Sequence, residues 1–193
     1  SYNFIYPASG GVDTVAVTVQ ACSGCTKPNA GNDQSICAPM ATATLTGFTP
    51  AGGTWAAQTG NPAAATVTNA GAVSGMTASG TYKFIYSVVA GGQTCTDTVA
   101  IIRNAKPVVG NDTICSPATT ASVTRSPAGG TWIADASNPA TATITAAGAV
   151  SGLTANGTYK FIYTLNGCSD TATVVRNAKP NAGADKSLAC ADP

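Results

Sequence analysis

GTYKFIY occupies residues 80–86 and returns unchanged at 157–163, and the chain opens on a close variant, SYNFIY, at 1–6. Within the first copy, Tyr82, Phe84 and Tyr86 share one parity and Lys83 and Ile85 the other. That is the period of two by which a strand sends successive side chains to opposite faces. Ser79-Gly80 precedes the run and Ala90-Gly91-Gly92 follows it, so the stretch predicts a β-strand with an aromatic inner face, bounded by turns.

The surroundings repeat with it. PAGGTW at 50–55 stands again at 127–132, and NPAAATVTNAGAVSGMTASGTYKFIY at 61–86 is matched by NPATATITAAGAVSGLTANGTYKFIY at 138–163, both displaced by 77 residues. RNAKP at 103–107 returns at 176–180, each time followed within a few residues by Gly and then Asp. These recurrences divide the chain into the C-terminal part of an upstream unit with its linker (1–26), two complete units (27–105 and 106–178) and the start of a downstream unit (179–193). The chain thus reads as a window on a longer tandem array.

Alternation like that of GTYKFIY continues in ATATLTG at 41–47, AATVT at 64–68 and CTDTVAII at 95–102, with turn clusters such as Pro50-Ala51-Gly52-Gly53 and Asn69-Ala70-Gly71 between them. Short strands at this spacing, with no helical period, predict an all-β chain of tandem immunoglobulin-like β-sandwich repeats arranged end to end. The linkers RNAKPVVGND and RNAKPNAGAD carry Pro and no Gly/Ser run, which predicts a restricted hinge. Each unit has one Trp, Trp55 or Trp132, directly after Gly-Gly-Thr. It is expected to fill the core of a central strand rather than stack on a sugar.

Composition excludes several functions. Charged residues are 9% of the chain and the formal net charge is +1, against about a quarter charged in ordinary domains, so neither a nucleic-acid groove nor a polybasic membrane patch is expected. No apolar run approaches the roughly 20 residues of a spanning helix, and any export signal or anchor is expected outside this window. The chain has no His and no Glu. Acid–base chemistry would rest on Asp alone, and the Asp residues fall at repeat-equivalent turns and strand starts. No base is placed to activate a Ser or Thr, and Gly129-Gly130 lacks the Lys-Ser/Thr of a phosphate loop. The expectation is a non-catalytic protein without a cofactor.

Units of this size, rich in Ala and Gly, bury thin cores, and cysteine is the expected remedy. Cys37 lies near the start of the first complete unit and Cys95 in its last strand, while Cys115 and Cys168 hold the same places in the second. Pairing within each unit would close loops of about 50–60 residues, stabilising each by roughly 4 kcal/mol, and implies an oxidising, exported location. Cys22 and Cys25, in ACSGC, either bridge each other or close the upstream unit through one of them. Zinc would need two further ligands from a second CxxC or a His, and a thioredoxin-like role would need a helix where Thr26-Lys27-Pro28 stands. Cys190 begins the downstream unit, so its partner is expected outside the window.

Three functions suit such a chain: a structural and adhesive stalk, a carbohydrate- or protein-binding module carried by each repeat, and a filament subunit that completes its end units in trans. The run ATVTNAGAVSGMTASGTYKFIY and its twin at 141–163 resemble bacterial Ig-like repeats of the second group. The fuller pattern, NAGND…IC…PAGGTW…NP…GAVSGLT..GTYKFIY…C.DT, is similar to the tandem repeats of very large Bacteroidota surface proteins, a gliding-motility adhesin among them. The resemblance implies export across the outer membrane by the type 9 route, an extracellular, cell-surface location, and a polysaccharide or protein ligand bound by regions outside this window.

Two sets of side chains are singled out at the surface. Asp33, Asp112 and Asp185 each follow a Gly by one residue at a unit junction. They are expected either to bond their own backbone in a turn or to contribute to a calcium site, which would need Asp97 or Asp170 to approach. In the last strand Asp97, Val99 and Ile101 share the parity of Cys95, as Asp170, Ala172 and Val174 share that of Cys168, which turns Thr14, Thr98 and Thr171 outward. With Thr113, these lie in DTV, DTA and DTI tripeptides that resemble the O-glycosylation acceptors of exported Bacteroidota proteins. A glycan on an outward Thr of an edge strand would also block strand-to-strand aggregation; the other reading is an ordinary β-favouring Thr on the wet face, with Asp capping the strand end.

Overall fold

The structure, a computed structural model, describes residues 2–8, 11–17 and 25–183. Cys22, Asp185 and Cys190 lie outside the described residues, and Thr14 is described only by its backbone place in a strand. Strands β1 (Tyr2–Ala8) and β2 (Gly11–Val17) form an antiparallel hairpin in which Thr14 stands opposite Ile5.

The first complete unit holds β3 (Gln34–Cys37), β4 (Ala43–Thr44), β5 (Thr54–Ala57), β6 (Thr66–Val67), β7 (Ala72–Ser74), β8 (Gly80–Ala90) and β9 (Gln93–Asn104). The second holds β10 (Val108–Val109), β11 (Asp112–Cys115), β12 (Ala121–Ser122), β13 (Arg125–Ser126), β14 (Thr131–Ala134), β15 (Thr143–Ile144), β16 (Ala149–Ser151), β17 (Gly157–Leu165) and β18 (Cys168–Asn177). A four-stranded sheet, β3-β9-β8-β5, packs on a three-stranded one, β4-β7-β6; in the second unit β11-β18-β17-β14 packs on β12-β16-β15. A short pair, β10 with β13, accompanies the second unit, and a single bridge, Asn29 to Thr49, holds the corresponding place in the first. Each unit is an immunoglobulin-like β-sandwich.

The aromatic strand is the spine of each sandwich. Tyr82, Phe84, Tyr86, Tyr159, Phe161 and Tyr163 are completely buried, as the alternation requires. Two of the three aromatics also carry a hydroxyl, and a buried hydroxyl needs a partner. Tyr82 Oη donates to the Ala78 carbonyl at 2.8 Å and accepts from the Ala78 N–H at 3.1 Å, and Tyr159 does the same with Ala155 at 2.8 and 3.0 Å. This is the tyrosine corner of immunoglobulin-like sandwiches. Tyr86 Oη donates to the Pro50 carbonyl and accepts from the Gly53 N–H at 2.9 Å; Tyr163 does so with Pro127 at 2.9 Å and Gly130 at 2.7 Å. PAGGTW and GTYKFIY therefore recur together because the last Tyr of one latches the turn of the other.

That latch leaves no room for a side chain. A Cβ at Gly53 would lie 2.5 Å from Tyr86 Cζ and 2.7 Å from the Ser87 carbonyl oxygen, and one at Gly130 would lie 2.3 Å from the Thr164 carbonyl oxygen.

Trp55 fills the core as expected, with its ring 4.8 Å from Tyr86 and edge-on to Phe48 at 5.5 Å. Trp132 keeps the contact with Tyr163 at 4.9 Å but is only half-buried. Arg125 takes the place of Phe48 in the second unit and donates outward to the Ala147 carbonyl at 2.7 Å.

Two expectations need correction. The last strand is not an edge: β9 lies between β3 and β8, and β18 between β11 and β17, because β3 and β11 pair parallel to β9 and β18. And RNAKP is not all linker. Arg103-Asn104 and Arg176-Asn177 end β9 and β18, with both Arg side chains buried and each Nε donating to a carbonyl, Met40 at 2.7 Å or Ala118 at 2.9 Å.

Tyr163→Phe should destabilise the protein by about 1–3 kcal/mol, since it orphans the Pro127 carbonyl and the Gly130 N–H. Gly130→Ala should cost more, because backbone rather than a flexible side chain meets the new methyl. Urea unfolding of both variants checks the order; equal stabilities would refute the latch.

Candidate functional site

The features with the most chemistry lie at the ends of the sandwiches. In the first unit β3 runs parallel to the far end of β9, with Cys37 in register with Asn104. Cys95 lies nine residues earlier on β9, about 30 Å away at the strand rise. A disulfide needs Cα atoms within about 7 Å, so Cys37 and Cys95 cannot pair, and the expected bridge within each unit is overturned. The same geometry separates Cys115, in register with Asn177, from Cys168 at the other end of β18.

The cysteines pair between successive segments instead. Cys25, in the approach to the first unit, is bridged to Cys95 with Cα atoms 5.9 Å apart, and Cys37 of the first unit is bridged to Cys168 of the second at 5.6 Å. Cys25 is thus not paired with Cys22, which lies outside the described residues. Cys115 is exposed and unpaired among the described residues, contrary to its expected bond with Cys168.

Both bridged hairpin cysteines lie near a tight turn. Gly91-Gly92 joins β8 to β9, and Asn166-Gly167 joins β17 to β18, with φ of +50° and +77° in the second turn. Asn-Gly suits such a two-residue hairpin turn because both positions need positive φ. The Asn166 carbonyl also accepts a hydrogen bond from Asn104 Nδ2 at 3.1 Å, beside the disulfide, and the same amide donates to Ser35 Oγ at 2.8 Å. Asn104 and Asn166 were missed by sequence reasoning. The Asn-Gly dipeptide beside Cys168 is the signal that marks the turn; nothing local marks its docking on another unit.

A second device clips each approach segment to its own sandwich. Asp97 accepts from Lys27 Nζ at 2.7 Å and from the Ala30 N–H at 2.9 Å. Asp170 accepts from Lys106 Nζ at 2.7 Å and from the Val109 N–H at 3.2 Å. The Lys27 ammonium is the main cause holding the Asp97 carboxyl below the usual range, with the Ala30 N–H next, and Lys106 leads in the same way for Asp170.

The junction carboxylates are occupied by backbone. Asp33 accepts from the Ala100 N–H at 2.7 Å; Asp112 accepts from the N–H groups of Thr113 at 2.8 Å and Ser122 at 3.2 Å. Asp33 and Asp112 are also not equivalent: Asn111, not Asp112, holds the place of Asp33, accepting from the Thr173 N–H at 2.8 Å. Among the described residues no group of three or more His, Cys, Asp or Glu is placed to hold a metal ion.

Thr98, Thr113 and Thr171 are exposed, on the outer face of inner strands β9 and β18 and on edge strand β11. A shallow groove recurs in both units, beside Ala57, Asn61 and Ala65 and beside Ala134, Asn138 and Ala142. Its two Asn amides are already paired with backbone, Asn61 with Lys83 at 2.8 and 3.1 Å and Asn138 with Lys160 at 2.7 and 3.1 Å. Gln58 and Thr59 in the first groove, and Asp135 and Thr141 in the second, line it beside the alanines.

Asp97→Ala should lower stability by about 1 kcal/mol at neutral pH. Because the native pKa is depressed, the contribution is complete above the unfolded-state value of roughly 3.9 and is lost as pH falls through the lower native value. Thermal melts of wild type and variant should therefore converge in strong acid; a constant difference down to pH 2 would refute the clip.

No protein-family model matches the chain, and no curated protein matches it. Among solved structures it is similar to Sidekick-1 immunoglobulin domains 1–4, at 13% identity and a TM-score of 0.40, over 89% of this chain and 56% of that one. It is similar also to the titin I-band fragment I67–I69, at 15% identity and a TM-score of 0.36, over 80% of this chain and 66% of that one. The insect immune protein hemolin matches at 14% identity and a TM-score of 0.36, over 92% of this chain and 56% of that one. The immunoglobulin-like assignment rests on the strand pairings above.

Proposed function

We propose that this chain is a stretch of the non-catalytic shaft of a long cell-surface adhesin, an extended, disulfide-coupled stalk. In this reading, binding of a surface polysaccharide or protein belongs to other regions of the whole protein. Outer-membrane export by the type 9 route and a part in gliding or surface attachment go with it, as the sequence resemblance implies.

The observation that carries the reading is the Cys37–Cys168 bridge between consecutive sandwiches. Under tension applied at the two ends, the covalent path runs along the chain to Cys37, crosses to Cys168 and continues through β18. The intervening residues lie outside that path, so of the strands in the two sandwiches only β3 and β18 take the load directly. A catalytic or signalling domain has no need of such a bypass, whereas a shaft built from weak sandwiches does.

The exposed Thr98, Thr113 and Thr171 fit the same reading as attachment points for O-linked glycans, with Thr14 at the corresponding place in β2. A glycan there would cover the open face of the four-stranded sheet.

Pulling the oxidised chain from its ends in a force spectrometer should release only the segments outside the bridge. With reductant, the 131-residue separation between Cys37 and Cys168 should add roughly 430–470 Å of contour. Equal extension in both buffers would overturn the load-bypass role. Protease shaving of intact native cells should release peptides of this chain, with those containing Thr98 and Thr171 heavier than their sequence masses. Release only after lysis would sink the surface reading, and unmodified masses the glycan reading.

A further inference from the structure

The two bridges follow one rule. In each, the cysteine beside a β-hairpin turn reaches back to a cysteine in the preceding segment of the chain: Cys95 to Cys25, and Cys168 to Cys37. Cys95 and Cys168 are equivalent, opposite Val88 and Leu165 in their hairpins.

Cys37 and Cys115 are equivalent too, and the match extends to their surroundings. Each is the last residue of the strand that pairs parallel to the last one, β3 or β11, in register with the Asn that ends that last strand, Asn104 or Asn177. The next residue donates its N–H to that Asn carbonyl, Ala38 at 3.0 Å and Ser116 at 2.9 Å. The residue two further on donates back to the cysteine carbonyl, Met40 to Cys37 at 2.9 Å and Ala118 to Cys115 at 3.0 Å. A cis X-Pro bond follows in both, Ala38-Pro39 and Ser116-Pro117. The second unit thus presents at its exit end the same backbone arrangement around its cysteine as the first unit has where it binds a hairpin, with the thiol of Cys115 exposed.

We propose that Cys115 is the docking point for the hairpin cysteine of a following repeat of the same kind, so that an array carries one disulfide at every junction. The inference rests on the tandem-array reading and deepens it. The sequence beyond β18 supports the occupant: KPNAGADKSLAC at 179–190 rewrites the entry KPNAGNDQSIC at 27–37. Formation of the bond takes one hydrogen from each of two thiols, and the two protons and two electrons pass to a disulfide oxidant, which leaves as a dithiol.

The ladder this makes has a mechanical consequence. From Cys37 the covalent path crosses to Cys168 and runs on toward Cys190, while a parallel path leaves through Cys115 into the next hairpin. Two interleaved tracks would carry tension, each stepping over a whole sandwich.

The test adds one repeat to the full chain. A second copy of residues 106–178, carrying Cys115→Ser and, as a mass tag on its hairpin peptide, Thr173→Ser, is joined after residue 178, and the oxidised protein is alkylated and digested without reduction. The expected products are the peptide containing Cys37 linked to the native hairpin peptide and the peptide containing Cys115 linked to the tagged one, whereas Cys115 of the unextended chain takes one equivalent of alkylating agent. Alkylated Cys115 in extended molecules that retain the Cys37–Cys168 link would overturn the proposal, as would its linkage to Cys168 of its own unit. A Cys115→Ser version of the extended chain should leave the added hairpin cysteine alkylatable while the Cys37–Cys168 link persists; a fully protected hairpin cysteine there would also overturn it. Small-angle scattering on the same proteins reads the stalk separately: a compact shape with the bridge intact would defeat the shaft and leave the docking rule standing.

Discussion

The parallel pairing of β3 with the end of β9, and of β11 with the end of β18, governs the rest of the structure. An antiparallel hairpin could have put Cys37 near Cys95. Parallel register places it beside Asn104, at the opposite end of a strand twelve residues long. A cysteine stranded there can be satisfied only by something outside its own sandwich, and the hairpin of the next unit is what the chain brings to that spot. The same pairing makes β9 and β18 inner strands, so their outward Thr residues decorate a sheet face and are not needed to guard an edge.

What could be read from the sequence was whatever depends on neighbours a few residues apart. Period-two alternation marked Tyr82, Phe84 and Tyr86 as inward because adjacent side chains on a strand cannot share a face. The 77-residue displacement marked the units. Partnership across the sandwich could not be read this way. The coupling of Tyr86 to Gly53 is visible in hindsight as the joint recurrence of GTYKFIY and PAGGTW, yet the recurrence alone does not say that one touches the other. The disulfides failed for a related reason: equivalent cysteines in each unit suggest a bridge per unit, and only strand direction tells a bridge within a unit from one between units. Arg103 and Arg176 read as linker because a charged residue close to Pro resembles one; their buried stems and carbonyl partners follow from a strand that runs that far.

The two units also show which parts of the pattern are tied to geometry and which drift. Gly53 and Gly130 are constrained by contact with a tyrosine ring and a backbone carbonyl. Phe48 is not: Arg125 stands in its place, and the cost is a less enclosed Trp132. The entry segments drift as well. KPNAGNDQSIC is one residue longer than KPVVGNDTIC, and the slack is absorbed between the Lys–Asp clip and the first strand. Asp33 and Asn111 thereby perform one task, accepting a backbone N–H from the last strand, while Asp112 moves on to Ser122 and Gln34 to the Thr44 carbonyl. A carboxylate and an amide are interchangeable for that task, since either offers an oxygen to an N–H. They are not interchangeable for a divalent cation, for which the loss of charge would be felt at once.

Division of labour between weak and strong interactions follows from this. Small cores of Ala, Val and a few aromatics hold each sandwich in register, and the exposed ion pairs add little to them. The bond between the two sandwiches is indifferent to core size, so in the proposed shaft an array would lengthen by copying a modest unit without relying on larger cores. For that arrangement the sequence between the cysteines must keep its turns, its tyrosine latches and its strand lengths, which fix where the cysteines arrive, while most of the surface is free to change. The near-identity of 61–86 and 138–163 beside the looser match of the entry segments fits a chain in which placement of the hairpin, rather than any one surface group, is what each repeat has to reproduce.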